Sequence, residues 1–549
     1  MSRVMEKLLA TAGVSEKGIT TGEPAAPIRR TWGEVHHRAR GMAAALRAAG
    51  VARGDAVALL AGDPEIIAPG VQAVWLAGGS ITMLHQPTAR TDLATWADDT
   101  VRVLAMIGAR RVLLGPPFEP IADVLRDHGV TVSGFDGLDD DAPDFTPVPL
   151  GEDDTALLQL TSGSTAEPKA VRITHGNLWA NFQAMEIAAG LVPETDVMVS
   201  WLPLFHDMGM VGFLIVPMML GIELVKVTPV EFLGGPLTWP ELITRYGGTV
   251  TAAPNFAYAI IGRRLAHVAD GTYDLSTLRL ALNGAEPIDP AAIRTFCDAA
   301  ERFGMSPGAV FCAYGMAEAT LGVAFAPLGR GMVVDHIDPD DLELRHRATP
   351  VAADRPDARA FPLLGPPVPG IEVAVTGEDG EPLGEREVGL LRLRGASISP
   401  GYLTMDGPVA TKDADGWLDT GDEGYLVGGE VVVCGRRKDV IIMGGRNIYP
   451  TDVERAAAEV EGVRAGNTAA VRLDDHAGRD RFAVAVESRQ ADDPEAARRI
   501  GDEVTSRVTA QVGARPYVVR VLPPGSLPKT PSGKLRRAAL RRHLLDAAG

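Results

Sequence analysis

Cysteine is scarce: the 549-residue chain has three, Cys297, Cys312 and Cys434, with no Cys-x-x-Cys or Cys/His ligand spacing among them. Disulfide scaffolds and structural metal sites are therefore not expected. Positive charge is also in deficit. The 53 Lys and Arg against 71 Asp and Glu leave a formal net charge of -18. Broad nucleic-acid binding needs a basic surface that this balance does not supply, so any anionic ligand requires a local basic site. Long apolar runs are missing as well. The start, MSRVMEKLLATAG, has no extended apolar core, and the most apolar stretch, Met208–Leu224, is interrupted by Gly209, Gly212, Pro217 and Gly221. It reads as a buried helix and strand, so no membrane span is expected and a cytoplasmic location is the default.

What is present suits a globular enzyme: 46% of residues are apolar and 23% charged. The length exceeds one hydrophobic core, so at least two domains are expected. Helical and strand patterns alternate. Glu34–Gly50 sets Val35, Ala39, Met42 and Leu46 on one helical face before the strand-like Asp55–Leu60. Ala156–Leu160, Val197–Trp201, Ile222–Val227 and Thr249–Ala253 read as buried strands, with helical Asn177–Ala188 and Asp289–Phe303 among them. This rhythm predicts an α/β fold with parallel-rich sheets. Residues 331–361 break the pattern as an acidic, proline-bearing excursion. Beyond about Asp422–Asp439, the strand-like VVVCG, VIIMGG, AVAVE and VVRVL alternate with helical Pro450–Val460 and Pro494–Val512. A small C-terminal domain over 438–549 follows, joined to an N-terminal domain over 1–437 at a linker near Arg437–Lys438.

Four regions carry chemistry. Thr161-Ser162-Gly163-Ser164-Thr165-Ala-Glu-Pro-Lys169 follows a buried strand and gathers hydroxyls, a glycine and a lysine. A Ser/Thr-rich turn would account for any one of these residues, but the whole string reads as a phosphate cradle. Its order differs from that of the nucleoside-triphosphatase loop GxxxxGK[ST]. Asn283-Gly284-Ala285-Glu286-Pro287 and Ala313-Tyr314-Gly315-Met-Ala-Glu318 each set a glycine turn beside an acid. Glu318 suits Mg²⁺ and Tyr314 a base, although a helix-capping glutamate and a core tyrosine would look the same. Asp422 in WLDTGD can accept ribose hydroxyls, with Arg436 of GRRKD adding donors to the sugar or a phosphate. Finally, Pro528-Lys-Thr-Pro-Ser-Gly-Lys534 is a loop that can deliver a cation between a carboxylate and a phosphate, followed by a basic helix over Leu535–Leu544.

Taken in order, TSGSTAEPK, WLPLFHDMG, NGAEP, AYGMAE, WLDTGD, GRRKD, GGRNIYPTDVE and PSGK resemble the successive motifs of the adenylate-forming superfamily. That superfamily comprises acyl-CoA synthetases, nonribosomal-peptide adenylation domains and luciferases. PLFHDMG, LALNGAEPI and the excursion after AYGMAEATLGVAF are most similar to its fatty acyl-AMP ligases. The resemblance implies a large N-terminal domain of α/β subdomains and a small mobile α+β C-terminal domain. It implies ATP and Mg²⁺ as cofactors, Lys534 as the adenylation lysine, Glu318 as the metal ligand and His206 by the carboxylate pocket. Asp422 and Arg436 would hold the ribose, Gly284–Glu286 and Tyr314 would frame adenine, and Lys438 would be the hinge.

The reading is thus an enzyme that activates a hydrophobic carboxylic acid as acyl-AMP, releases pyrophosphate and passes the acyl group to the phosphopantetheine thiol of an acyl carrier protein. The apolar lining suggested is Trp201, Phe205, Phe213, Phe256 and Tyr258. CoA as acceptor is the alternative, which Ala166-Glu-Pro-Lys169 and Ile442-Met-Gly-Gly-Arg-Asn447 favour. Alternatives of other classes are a non-catalytic adenylate-binding protein and a phosphoryl-transferring enzyme that would yield ADP.

Overall fold

Near the N-terminus, Thr31 starts the helix Trp32–Ala48 with a capping box: its hydroxyl accepts from Glu34 N at 3.1 Å while the Glu34 carboxylate accepts from Thr31 N at 2.7 Å. Such a cap contributes about 1 kcal/mol. Val35, Ala39, Met42 and Leu46 are buried on one face of the helix, and the chain then enters the fully buried strand Ala56–Leu60. Repetition of this unit builds two eight-stranded sheets. The computed structural model describes residues 1–549 except 88–91, 136–144, 163–166, 444–445, 475–479, 530–534 and 547–549.

In one large sheet the order is 322–325, 310–315, 280–283, 250–253, 197–200, 223–226, 18–21 and 28–31, parallel except at its two edges. The other runs 407–410, 401–404, 168–174, 155–162, 80–83, 56–60, 111–114 and 131–134, with antiparallel pairing at the 168–174 end. A four-stranded antiparallel sheet (371–376, 389–395, 418–427, 430–436) follows. The α/β expectation holds, with large parallel-rich sheets and a separate C-terminal unit. That unit is a three-stranded sheet (468–474, 480–487, 518–522) covered by the helices Pro450–Ala458 and Pro494–Val512.

Three local expectations are refined. The VVVCG strand does not join the C-terminal sheet: Glu430–Arg436 pairs with Leu418–Val427 as a hairpin, because the GG turn returns the chain at once. The stretch from Met208 is a wide-turned π-helix, Met208–Ile215, that tightens to α over Val216–Leu220, with Phe213 off helical geometry at φ -122°. The excursion is ordered. It forms the helix Pro339–Arg345 between two paired strands, and Ile337, Leu342 and Ala348 share a core with Tyr425 and Tyr449.

Candidate active site

The parallel strands Leu280–Asn283 and Val310–Gly315 lie side by side and end together, the place where ligands bind in open α/β sheets. Gly284, Ala285 and Glu286 leave the first strand, and Tyr314 and Gly315 end the second. A side chain at Gly315 would bring its Cβ to 2.2 Å from Leu321 O, so only glycine lets the chain turn there. Ala285 adopts the left-handed φ of 70°, a strain on the order of 1 kcal/mol that marks a constrained turn. The Glu286 carboxylate accepts from Phe256 N at 2.7 Å. Asn283 is fully buried beneath this rim, its Nδ2 donating to Asn255 Oδ1 at 3.3 Å, and does not line the cleft.

Across the cleft, hairpin register sets Asp422 directly opposite Arg436. Arg436 Nε donates to Asp422 Oδ1 at 3.2 Å, and the Tyr314 hydroxyl donates to Oδ2 at 2.6 Å. Asp422 is 5% exposed. Burial raises its pKa above the usual carboxylate range, and the Arg436 charge and the Tyr314 hydrogen bond oppose the shift. Burial and the neighbouring Asp422 push the Tyr314 phenol well up, so it stays a donor. A carboxylate has room for about four hydrogen bonds, so Asp422 keeps capacity for a diol.

Glu318 forms a second cluster. Tyr402 donates to Glu318 Oε1 at 2.8 Å, and Lys169 Nζ lies 5.5 Å from the Tyr402 ring centroid. The pairing of 401–404 with 168–174 sets Tyr402 opposite Val171, and Thr161 pairs with Lys169 across the neighbouring ladder. The phosphate-cradle string therefore joins two antiparallel strands. Thr161 and Lys169 line the cleft, while Gly163, Ser164, Thr165 and the side chain of Ser162 lie outside the described residues. Among the described residues, no three His, Cys, Asp or Glu side chains gather as a metal cage. The Glu318 carboxylate beside Lys169 is a donor set that suits Mg²⁺, which takes one or two carboxylates with phosphates and waters.

His206 Nδ1 lies 2.6 Å from Asp207 Oδ1 at the cleft wall. Its loop is held by Gln159, whose Nε2 donates to Phe205 O at 2.9 Å. His85 flanks Phe205, and burial lowers its pKa to about 4, so its ring is neutral. Lys438 sits on the short turn Arg437–Asp439 and lines the cleft. Burial, then repulsion from Arg436, lowers its pKa. Lys534 lies outside the described residues, but its neighbours Lys529, Leu535 and Arg536 line the cleft. Lys529 Nζ donates to Asn467 Oδ1 at 2.8 Å. Lys169, Arg436, Lys438, Lys529 and Arg536 thus supply the local positive field that the acidic chain needs for an anion.

The cleft has a volume of about 2530 Å³, and part of its lining is apolar. Trp201, Phe205, Phe213 and Phe256 line it. Tyr258 does not: it is 1% exposed in the core, and its hydroxyl donates to Leu282 O. Residues that sequence reasoning missed are Tyr402, Gln159, His85 and Lys529. Gln159 had a signal, as a lone amide inside a buried apolar strand; Tyr402 reaches Glu318 only through sheet pairing.

Residues 18–403 match the family described as AMP-binding enzyme, and 445–542 match the AMP-binding enzyme C-terminal domain. A Mycobacterium tuberculosis (strain ATCC 25618 / H37Rv) protein whose name describes it as a ligase is 54% identical over 540 residues, covering 98% of this chain and 99% of that one. The long-chain-fatty-acid–AMP ligase FadD23 of Mycobacterium tuberculosis (strain CDC 1551 / Oshkosh) is 34% identical over 404 residues, 70% of this chain and 68% of its own. Among solved structures, one from a study of fatty acyl-adenylate ligases of E. coli and L. pneumophila aligns with a TM-score of 0.90 and 29% identity over 100% of this chain and 98% of its own.

Proposed function

The chain belongs to the AMP-binding enzyme family and is an adenylate-forming ligase that uses ATP, and from that premise we propose that it activates a hydrophobic carboxylic acid and delivers the acyl group to the phosphopantetheine thiol of an acyl carrier protein. The observation that carries this reading is that the Tyr314, Asp422 and Arg436 cluster, the Glu318, Tyr402 and Lys169 cluster and the apolar Trp201, Phe205, Phe213 and Phe256 line one cleft. The names of FadD23 and of the fatty acyl-adenylate ligase structure support a long apolar acid.

In this reading the ribose diol binds Asp422 and Arg436, and adenine lies against Tyr314 and the Gly284–Glu286 rim. Thr161, Lys169 and the loop between them hold the phosphates. Glu318 would hold Mg²⁺, which when bound neutralises phosphate charge. A carboxylate oxygen attacks the α-phosphorus, the bond to the β-phosphate oxygen breaks, and pyrophosphate leaves. Lys534 supplies the cation that offsets the repulsion of the two anions, and His206 with Asp207 borders the carboxylate. The thiol sulfur then attacks the acyl carbon and AMP departs. The boundary is at 437/438, with Lys438 as the hinge on which the C-terminal domain turns between the two steps.

The test is pyrophosphate release from ATP across a panel of acids, then consumption of acyl-AMP by a phosphopantetheinylated carrier protein or by CoA. Acid-dependent release with AMP as product supports the reading, ADP would overturn it, and acyl transfer to CoA alone would overturn the acceptor. Lys534→Ala should abolish release while nucleotide binding stays measurable.

A further inference from the structure

Lys226 ends the strand Glu223–Lys226, which pairs in parallel with Val197–Ser200 so that Lys226 stands opposite Ser200. The lysine is 1% exposed and does not line the cleft. Its ammonium has three donors, and three oxygens meet them: Leu202 O, Ser200 Oγ at 3.4 Å and Val227 O at 3.4 Å. Among the described residues, the one carboxylate whose charge bears on it is Glu231, and Thr228 N donates to that carboxylate at 2.8 Å. A cation buried without a paired carboxylate is costly, and an apolar side chain would fill the same space without that cost. Stability therefore does not account for a lysine at this position.

Leu202 begins the loop 202–207, whose Pro203, Phe205, His206 and Asp207 line the cleft. Leu202 N donates to Ser200 Oγ at 3.2 Å, so Lys226 and Ser200 together fix both main-chain groups of Leu202. Farther along the loop, Gln159 Nε2 donates to Phe205 O at 2.9 Å from the strand Thr155–Ser162 of the other large sheet. Each large sheet thus sends one buried side chain to a carbonyl of the same loop. We propose that Lys226 is a positioning residue for the acid: with Gln159 it fixes the loop that presents Phe205 and His206 to the cleft. The inference rests on the reading of that cleft wall as the acid's site. A hydrogen bond from a charged donor is about twice as strong as a neutral one, which makes Lys226 the firmer anchor. Misplacing a group by about 1 Å can cost a reaction on the order of a hundredfold, and with Gln159 still in place the loss should be smaller.

The experiment takes the most active acid of a series from hexanoate to octadecanoate and measures pyrophosphate release in wild type, Lys226→Met and Ser200→Ala. ATP affinity is read separately by calorimetry, and folding by circular dichroism. Lys226→Met fills the space but cannot donate, so kcat/KM for the acid should fall about tenfold while KM and affinity for ATP stay within about twofold. Ser200→Ala removes one acceptor of the ammonium and the partner of Leu202 N, and should lower kcat/KM for the acid about threefold. If Lys226→Met fails to fold, Ser200→Ala decides on the same two readouts. An unchanged kcat/KM for the acid, or a parallel loss of ATP affinity, overturns the role of Lys226 alone. No acid-dependent release by wild type overturns the reading of the cleft, and the role of Lys226 with it.

Discussion

Severing Glu343 should loosen the C-terminal unit by about 3 kcal/mol. Glu343 lies on the excursion helix with its side chain 2% exposed, and its carboxylate accepts from Arg359 Nη2 at 2.5 Å and from Arg446 Nε at 2.7 Å. Arg446 belongs to the short hairpin that precedes the helix Pro450–Ala458, and Asp452 on that helix lies 3.0 Å from Arg359. The network therefore ties residues 334–362 to the C-terminal unit. Removing one partner of a buried ion pair costs about 3–5 kcal/mol, because the remaining charge loses its compensation. Glu343→Gln should fall at the low end: Arg359 keeps Asp452, and the Arg446 side chain is 31% exposed and can rehydrate. Burial holds Glu343 above the ordinary carboxylate range despite both arginines, so the network as a whole contributes little net stability. Replacing Glu343 by Leu together with Arg359 and Arg446 by Met should then recover most of the loss. The assay is urea unfolding with limited proteolysis near residues 437–445, run as a double-mutant cycle with Arg446→Met. A Glu343→Gln protein within about 0.5 kcal/mol of wild type, or additive single effects, would refute the argument.

Asp422→Asn keeps the shape but weakens acceptance from Arg436 and from a ribose diol. ATP affinity measured by calorimetry should fall by about 1.5–3 kcal/mol, and an unchanged affinity removes Asp422 from the ribose site. Tyr402→Phe deletes the hydroxyl bound to Glu318 at 2.8 Å. The Mg²⁺ concentration for half-maximal pyrophosphate release should rise about tenfold, as loss of an outer-shell partner does, while the KM for the acid holds. Lys226 is 1% exposed, and its ammonium donates to Leu202 O and to Ser200 Oγ. Burial pushes its pKa down to about 7 from 10.5, so between those values the unfolded chain binds more protons and stability rises with pH. That rise should be missing from Lys226→Met in denaturant titrations from about pH 7 to pH 10, and parallel curves for the two proteins would sink the assignment.

Much of this protein can be read along the chain. The helix and strand periods around Val35–Leu60 set the α/β alternation, because which face of an element is apolar is a local property. The motif strings name the chemistry for the same reason: hydroxyls, glycines and a lysine in one loop bind phosphate wherever that loop lies. Their meeting is different. Asp422 faces Arg436 through hairpin register, Tyr402 reaches Glu318 because 401–404 pairs with 168–174, and Arg279 meets Asp196 because the strands that follow them flank 250–253 in one sheet. Sheet order and register depend on packing between distant segments, which no local pattern encodes. The chain by itself thus determined the inventory of groups and the fold class, while the rim and the latch at Glu343 exist only in the tertiary structure.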